Sequence, residues 1–120
     1  MAEQLTHEAS LVAAAVGLGA VDVTGLSSEE ERLVASAYSL DSKTIQALRR
    51  QIRLGADPLG DAFGRIRSAD VRRESGATYT PDGIVRAMAA WASNQPKPDR
   101  IVDPGVGSGR FLTAVGGILR

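Results

Sequence analysis

In the first seventy residues the apolar positions recur at helical spacing between polar clusters, a pattern that predicts a series of short helices. Ala9, Val12, Ala13 and Val16 fall on one face of a first helix. Thr6 is placed to cap it, and the pattern fades at Gly17 and Gly19. Leu33, Val34, Ala37 and Tyr38 follow Ser28 and Glu31, a serine and a glutamate three positions apart that can satisfy each other's backbone as a capping box. A third helix starts at Asp41 or Ser42, carries Ile45, Leu48 and Ile52 as its stripe, and stops at Gly55. Asp57-Pro58 reads as a fourth start, a carboxylate cap followed by a proline whose missing N–H costs nothing in the first turn. Residues 68–80 are polar. From Thr80 onward the pattern becomes helix, loop, short apolar β-type run, glycine loop and helix, so residues 1–70 are expected to form a helical region distinct from 71–120.

Composition narrows the possible chemistry. The chain has 120 residues, of which 43% are hydrophobic and 4% aromatic, enough apolar material for a core built mainly from aliphatic side chains. It contains no cysteine and one histidine, His7. That excludes a disulfide scaffold, a zinc–thiolate site and a cysteine nucleophile, and leaves little for a histidine metal site, so no metal is expected. His7 reads as a surface helix residue. The longest early apolar run, residues 11–20, is too short for a membrane span, which needs roughly 20 residues. The first residues lack the basic flank of a secretory signal, and a soluble cytoplasmic protein is the default expectation.

The formal net charge is zero, with 14 basic and 14 acidic residues, but the charges are unevenly placed. Arg49, Arg50, Arg53, Arg65, Arg67, Arg72 and Arg73 crowd the middle of the chain against Asp57, Asp61 and Asp70. Two readings stay open: a solvated helix surface with internal ion pairs, or a face that contacts phosphate through Arg49, Arg50 and Arg53.

The stretch richest in chemistry is Arg100-Ile101-Val102-Asp103-Pro104-Gly105-Val106-Gly107-Ser108-Gly109-Arg110-Phe111-Leu112. An apolar run ends in a carboxylate and leads through a glycine-rich loop into an amphipathic helix, a step that brings bare backbone close to a ligand. Glycine at 105, 107 and 109 is expected because a β-carbon there would block that approach. A nucleotide P-loop requires Gly-Lys-Ser or Gly-Lys-Thr, whereas Gly109 is followed by Arg110 and Phe111. The dinucleotide fingerprint requires a glycine at position 110. Both readings fail. Upstream, Gly76-Ala77-Thr78-Tyr79-Thr80-Pro81 precedes Ile84, Val85, Met88 and Trp91. Thr80 reads as the cap of that helix, Pro81 as its first residue and Asp82 as a first-turn carboxylate. Trp91 reads as a core residue.

Asp-Pro-x-x-Gly-Ser-Gly-x-Phe-Leu closely resembles motif I of the amino-methylating, S-adenosylmethionine-dependent DNA methyltransferases, with Gly105-Val106 in place of the family's Ala-Cys. Tyr79-Thr80-Pro81 resembles motif X of the adenine-specific members, and it precedes motif I at about the family's separation. The resemblance covers residues 72–117. It implies an α/β, Rossmann-like class I methyltransferase fold, of which this mostly helical chain holds the start behind an N-terminal helical region. It also implies S-adenosylmethionine as cofactor. Asp103, Gly105, Gly107 and Gly109 would line its methionine end, with Ser108 on the loop, Pro104 fixing the turn, and Tyr79, Thr80 and Pro81 closing the pocket from the other side. Phe111 would pack beneath the loop, and Arg110 receives no role from the family.

The family's catalytic Asn/Asp/Ser-Pro-Pro-Tyr/Phe element, whose polar group binds the target amine and whose aromatic stacks on the flipped base, has no counterpart, because the chain contains no Pro-Pro pair. The cofactor-ribose carboxylate of the second strand is likewise missing. The chain is therefore expected to be the N-terminal portion of a longer enzyme that methylates the exocyclic amine of adenine in DNA. That enzyme would serve restriction–modification, with a cognate endonuclease as a possible partner, and the 120 residues alone would be inactive. Cytosine amine or a protein glutamine is the alternative target. A non-catalytic helical interaction or DNA-docking module is the alternative of another class.

Overall fold

The structure, a computed structural model, describes residues 5–68, 74 and 79–116. The sequence readings at Asp70, Arg72, Arg73, Gly76, Ala77 and Thr78, and the boundary between residues 70 and 71, lie outside the described residues. The helices discussed below are α1 (Glu8–Leu18), α2 (Ser28–Ala35), α3 (Ser42–Arg53), α4 (Pro58–Ile66), α5 (Asp82–Ser93) and α6 (Arg110–Val115). The described residues are mostly helical, as expected of this segment, and contain no β-strand.

Local capping chemistry sets most of the helix starts. α3 begins at Asp41, whose carboxylate accepts the Thr44 N–H at 3.0 Å and the Thr44 hydroxyl at 2.5 Å. α4 begins at Asp57, which accepts the Gly60 N–H at 2.9 Å, with Pro58 following as the sequence predicts. α1 and α3 end close to the predicted stops, Gly19 and Gly55, both in the left-handed region.

Three starts differ from their sequence reading. α1 is capped by His7, not Thr6. The imidazole Nδ1 accepts the Ser10 N–H at 3.2 Å and the Ser10 hydroxyl oxygen accepts the His7 N–H at 3.2 Å, so His7 lies at the helix boundary and fastens it. The α2 capping box is Ser27 with Glu30, one residue earlier than Ser28 with Glu31. The run Ser27-Ser28-Glu29-Glu30-Glu31 offers the same spacing twice, and sequence spacing cannot choose between them. Because α2 ends at Ala35, Ala37 and Tyr38 lie beyond it. In α5, Pro81 is the cap and Asp82 the first helical residue, with no side-chain cap, so Thr80 does not cap this helix.

α1 is the centre of the N-terminal packing and touches α2, α3 and α4. Leu5, Ala14, Leu48 and Ala62 form the buried cluster, with Leu11, Leu18, Leu40, Ile45 and Leu59 packed against it. Small residues let α1 and α3 approach closely, to the point that a β-carbon on Gly17 would lie 2.4 Å from Ile45 Cδ1. α5 packs mainly against α6.

Two further expectations are corrected here. The apolar run over residues 100–103 is loop and not a strand. A strand is defined by its ladder to a neighbour, and none of the described residues forms one. Trp91 is not in the core: it is 68% exposed, with Ile84 and Met88 also exposed, while Val85 and Ala89 form the buried side of α5. The helical spacing is real, but it marks a second apolar face that the described residues leave uncovered.

Candidate functional site

The glycine loop is built from Asp103 to Gly109. Asp103 Oδ1 accepts the Gly105 N–H at 3.1 Å and so tightens the turn through Pro104. The Gly109 N–H donates to the Val106 carbonyl at 2.7 Å, and the Gly109 carbonyl accepts the Thr113 N–H at 2.9 Å as α6 begins. Gly107 and Gly109 have φ of +50° and +85°. In this left-handed region a β-carbon is strained, so glycine at both positions follows from the backbone itself. Gly105 differs, since its φ is ordinary and an added β-carbon would meet no atom of the described chain. Backbone conformation thus calls for glycine at 107 and 109, and no contact with the described chain calls for it at 105.

Tyr79 reaches this loop from the other motif. Its Cε1 lies 3.7 Å from the point where a Gly107 β-carbon would stand. The same ring packs edge-to-face on Phe63 of α4, with ring centroids 6.0 Å apart and planes at 60°, a favoured aromatic geometry. Thr80 is half-buried beside it and Pro81 is exposed at the start of α5. Tyr79, Ser108 and Phe63 also border a cavity of about 340 Å³ that α1 and α4 line mainly with apolar side chains.

Asp103 provides the test of cofactor fit. Its Oδ1 is used by the loop, but its Oδ2 is buried and has no hydrogen-bond partner among the described residues. A buried carboxylate oxygen without a donor is costly, and a ligand ammonium or hydroxyl would relieve that cost. S-adenosylmethionine presents donors of this kind at its methionine end, so the donor and acceptor chemistry fits. Among the described residues no cluster of histidine, aspartate and glutamate is placed to hold a metal ion.

Three residues at the site carry roles that sequence reasoning missed. Asp57, only 7% exposed, does more than cap α4. It also accepts the Ser108 hydroxyl, and Arg110 Nε at 3.3 Å. Arg110, whose side chain is 15% exposed, continues to Asp61. Burial alone would lower the Arg110 guanidinium pKa, but the hydrogen bond to Asp57 and the charges of Asp61 and Asp57 outweigh it and raise it above the ordinary arginine value. Gly60 is required by this cluster: a β-carbon there would lie 2.0 Å from Asp57 Oδ2 and 2.5 Å from Ser108 Oγ. The Asp-Pro pair signalled the cap, but nothing local signalled the bonds to residues 51 and 53 positions away.

The family model described as N-6 DNA Methylase matches residues 56–119, a span that takes in α4, Tyr79-Thr80-Pro81 and the whole glycine loop. The chain belongs to the N-6 DNA methylase family. Type II methyltransferase M.XamI of Xanthomonas campestris pv. amaranthicola is 38% identical over 105 residues, covering 79% of this chain and 18% of the relative. The chain thus spans 18% of the length of the curated relative it matches. No solved structure matches it. Within the N-6 DNA methylase match lie Asp57, Gly60 and Arg110 as well as the two motifs, so the polar cluster and the loop it grips belong to one family segment.

Arg49, Arg50 and Arg53 stand apart from this site, on the exposed side of α3. Arg49 reaches only the Gly17 carbonyl, at 3.5 Å, and none of the three has a carboxylate partner among the described residues. Other arginines are paired: Arg67 with Glu8, Arg86 with Asp82, and Arg110 with Asp57 and Asp61. Among the described residues no helix is long and apolar enough to cross a membrane.

Proposed function

We propose that this chain is the cofactor-binding N-terminal portion of an enzyme that methylates the exocyclic amine of adenine in DNA, using S-adenosylmethionine. The observation that carries the reading is the meeting of the two motif elements, Tyr79 against Gly107, on the loop whose Asp103 Oδ2 has no partner among the described residues. In this reading residues 71–120 begin a Rossmann-like methyltransferase domain, residues 1–70 are a preceding helical region, and the protein works in the cytoplasm as part of restriction–modification. M.XamI, by its name a Type II methyltransferase, supports that setting, in which a cognate endonuclease is the natural partner.

When bound, S-adenosylmethionine supplies an electrophilic methyl group on its sulfonium. The chain's own residues hold and orient it. Asp103 Oδ2 accepts a donor of the methionine end. Gly105, Gly107 and Gly109 leave the loop backbone bare for close approach, and Pro104 and Ser108 keep the turn in shape. Tyr79, Thr80 and Pro81 form the opposite wall and limit water. Binding and activation of the target amine fall to the Pro-Pro-aromatic element of the family, which these 120 residues do not contain.

Titrating the isotope-labelled chain with S-adenosylmethionine tests the cofactor reading directly. Amide shifts should concentrate at residues 79–81 and 103–109, and a titration without shifts there sinks the reading. Radiolabelled methyl transfer by a protein that joins this chain to the Pro-Pro-aromatic element tests the target. Label should appear as N6-methyladenine in duplex DNA, whereas N4-methylcytosine or methylglutamine would replace adenine with one of the other amines.

The unpaired arginines of α3 favour a subsidiary role in contacting DNA phosphate. Duplex binding by the chain should then weaken with salt, and the slope should fall when Arg49, Arg50 and Arg53 become alanine. Unchanged binding in that variant leaves the cluster as solvated surface.

A further inference from the structure

The Asp57 carboxylate uses its two oxygens for different tasks. Oδ1 closes the first turn of α4 by accepting the Gly60 N–H. Oδ2 accepts the Ser108 hydroxyl and the Arg110 Nε–H. Ser108 and Arg110 flank Gly109, whose left-handed backbone turns the loop into α6. One buried oxygen therefore grips the chain on both sides of the turn that shapes the loop. Arg110 extends the grip to Asp61, further along α4, so the loop is referred to a rigid helix through two carboxylates. The packing leaves no slack at Gly60, as its β-carbon clashes show. A second consequence concerns Ser108: its hydroxyl proton is committed to Asp57, which leaves the loop N–H groups and Asp103 Oδ2 to meet a ligand.

We propose that Asp57 is a positioning residue that sets the glycine loop, through Ser108 and Arg110, in the shape that accepts the cofactor. This rests on the reading that the loop binds S-adenosylmethionine. Asp57 touches no proposed cofactor atom and acts through its neighbours. Its strength comes from geometry: charge-assisted hydrogen bonds in a site with little water are stronger than their neutral counterparts, and a guanidinium can bond along two edges at once.

Asp57→Asn separates the two tasks. The asparagine oxygen can still accept the Gly60 N–H, but its NH₂ faces two donors, Ser108 and Arg110, where they need an acceptor. In the labelled 120-residue chain titrated with S-adenosylmethionine, this variant should bind about tenfold more weakly. Its amides at 105–109 should exchange with solvent roughly tenfold faster, while the Gly60 amide and the far-ultraviolet helical signal stay as in the wild type. Arg110→Lys keeps the charge without the two-edged reach and should fall between the two.

Wild-type affinity and wild-type loop exchange in Asp57→Asn overturn the proposal. So does a loss of affinity that merely tracks a loss of helix in both variants. If Asp57→Asn does not keep its helices, Arg110→Lys decides alone, and unaltered affinity and exchange in it overturn the role. A wild-type chain that ignores S-adenosylmethionine overturns the cofactor reading instead. Loop exchange then still distinguishes the failures, because faster exchange in Asp57→Asn upholds the grip on the loop and unchanged exchange removes it.

Discussion

α3 and α5 are both 12-residue helices with apolar residues at helical spacing, yet they are used in opposite ways. α3 turns its predicted stripe inward: Leu48 is buried in the N-terminal cluster, with Ile45 packed against it. α5 buries Val85 and Ala89 and leaves Ile84, Met88 and Trp91 in solvent. The difference does not lie in periodicity, which both helices have. It lies in what each helix meets. α3 meets α1 along a face made close by Gly17, whereas among the described residues α5 packs mainly against α6. An amphipathic pattern specifies a face that can be buried, and the neighbour decides whether it is.

The largest test of this contrast truncates the two stripes. Leu48→Ala should destabilise the chain by about 2–4 kcal/mol in urea unfolding, the usual cost of a core cavity. Met88→Ala should cost less than about 0.5 kcal/mol, as exposed positions do. Equal costs would mean that α5 is covered in solution.

A smaller effect separates the two helix starts. The Asp41 carboxyl is held below its ordinary value by the side-chain and backbone hydrogen bonds of Thr44, and Glu30 is held below its own by those of Ser27. A carboxyl with a depressed folded pKa contributes stability that is present above its unfolded pKa and lost as pH falls through the folded one. On acidification the first turns of α2 and α3 should therefore loosen, seen as loss of helical chemical shifts near Glu30 and Thr44. α5 starts at Pro81 without a side-chain cap, so its first turn should show no such step. Both caps are exposed, and salt should blunt the response.

The smallest effect is spectroscopic. Trp91 is the chain's one tryptophan, and its emission should resemble that of free indole in water and be quenched freely by acrylamide. Trp91→Ala should leave stability within about 0.5 kcal/mol of the wild type. A blue-shifted, protected tryptophan would contradict the open face of α5.

The site shows the same division between near and far. Asp103, Pro104, Gly105, Gly107, Ser108 and Gly109 stand out as a tight loop because their chemistry is local: a carboxylate before a turn, and glycines of which 107 and 109 take left-handed backbone. Tyr79-Thr80-Pro81 is legible as a helix entrance, although the cap is Pro81, one residue after Thr80. The apolar run before Asp103 has the pattern of a strand, but pairing with a neighbour makes a strand and pattern alone does not. Arg110 had no legible role, since its partners Asp57 and Asp61 stand on another helix.

Local sequence suffices for the helix starts near Asp41 and at Asp57, the stops near Gly19 and Gly55, and the family to which the glycine loop and its Tyr-Thr-Pro companion belong. Each of these depends on residues within a few positions of one another. The bonds from Asp57 to Ser108 and Arg110, the stand of Tyr79 against Gly107, and the turning of Val85 inward and Trp91 outward on α5 come from packing. Those contacts join segments that are distant along the chain or depend on which neighbour covers a face. They exist only once packing has fixed where the helices lie, and no local pattern encodes that placement.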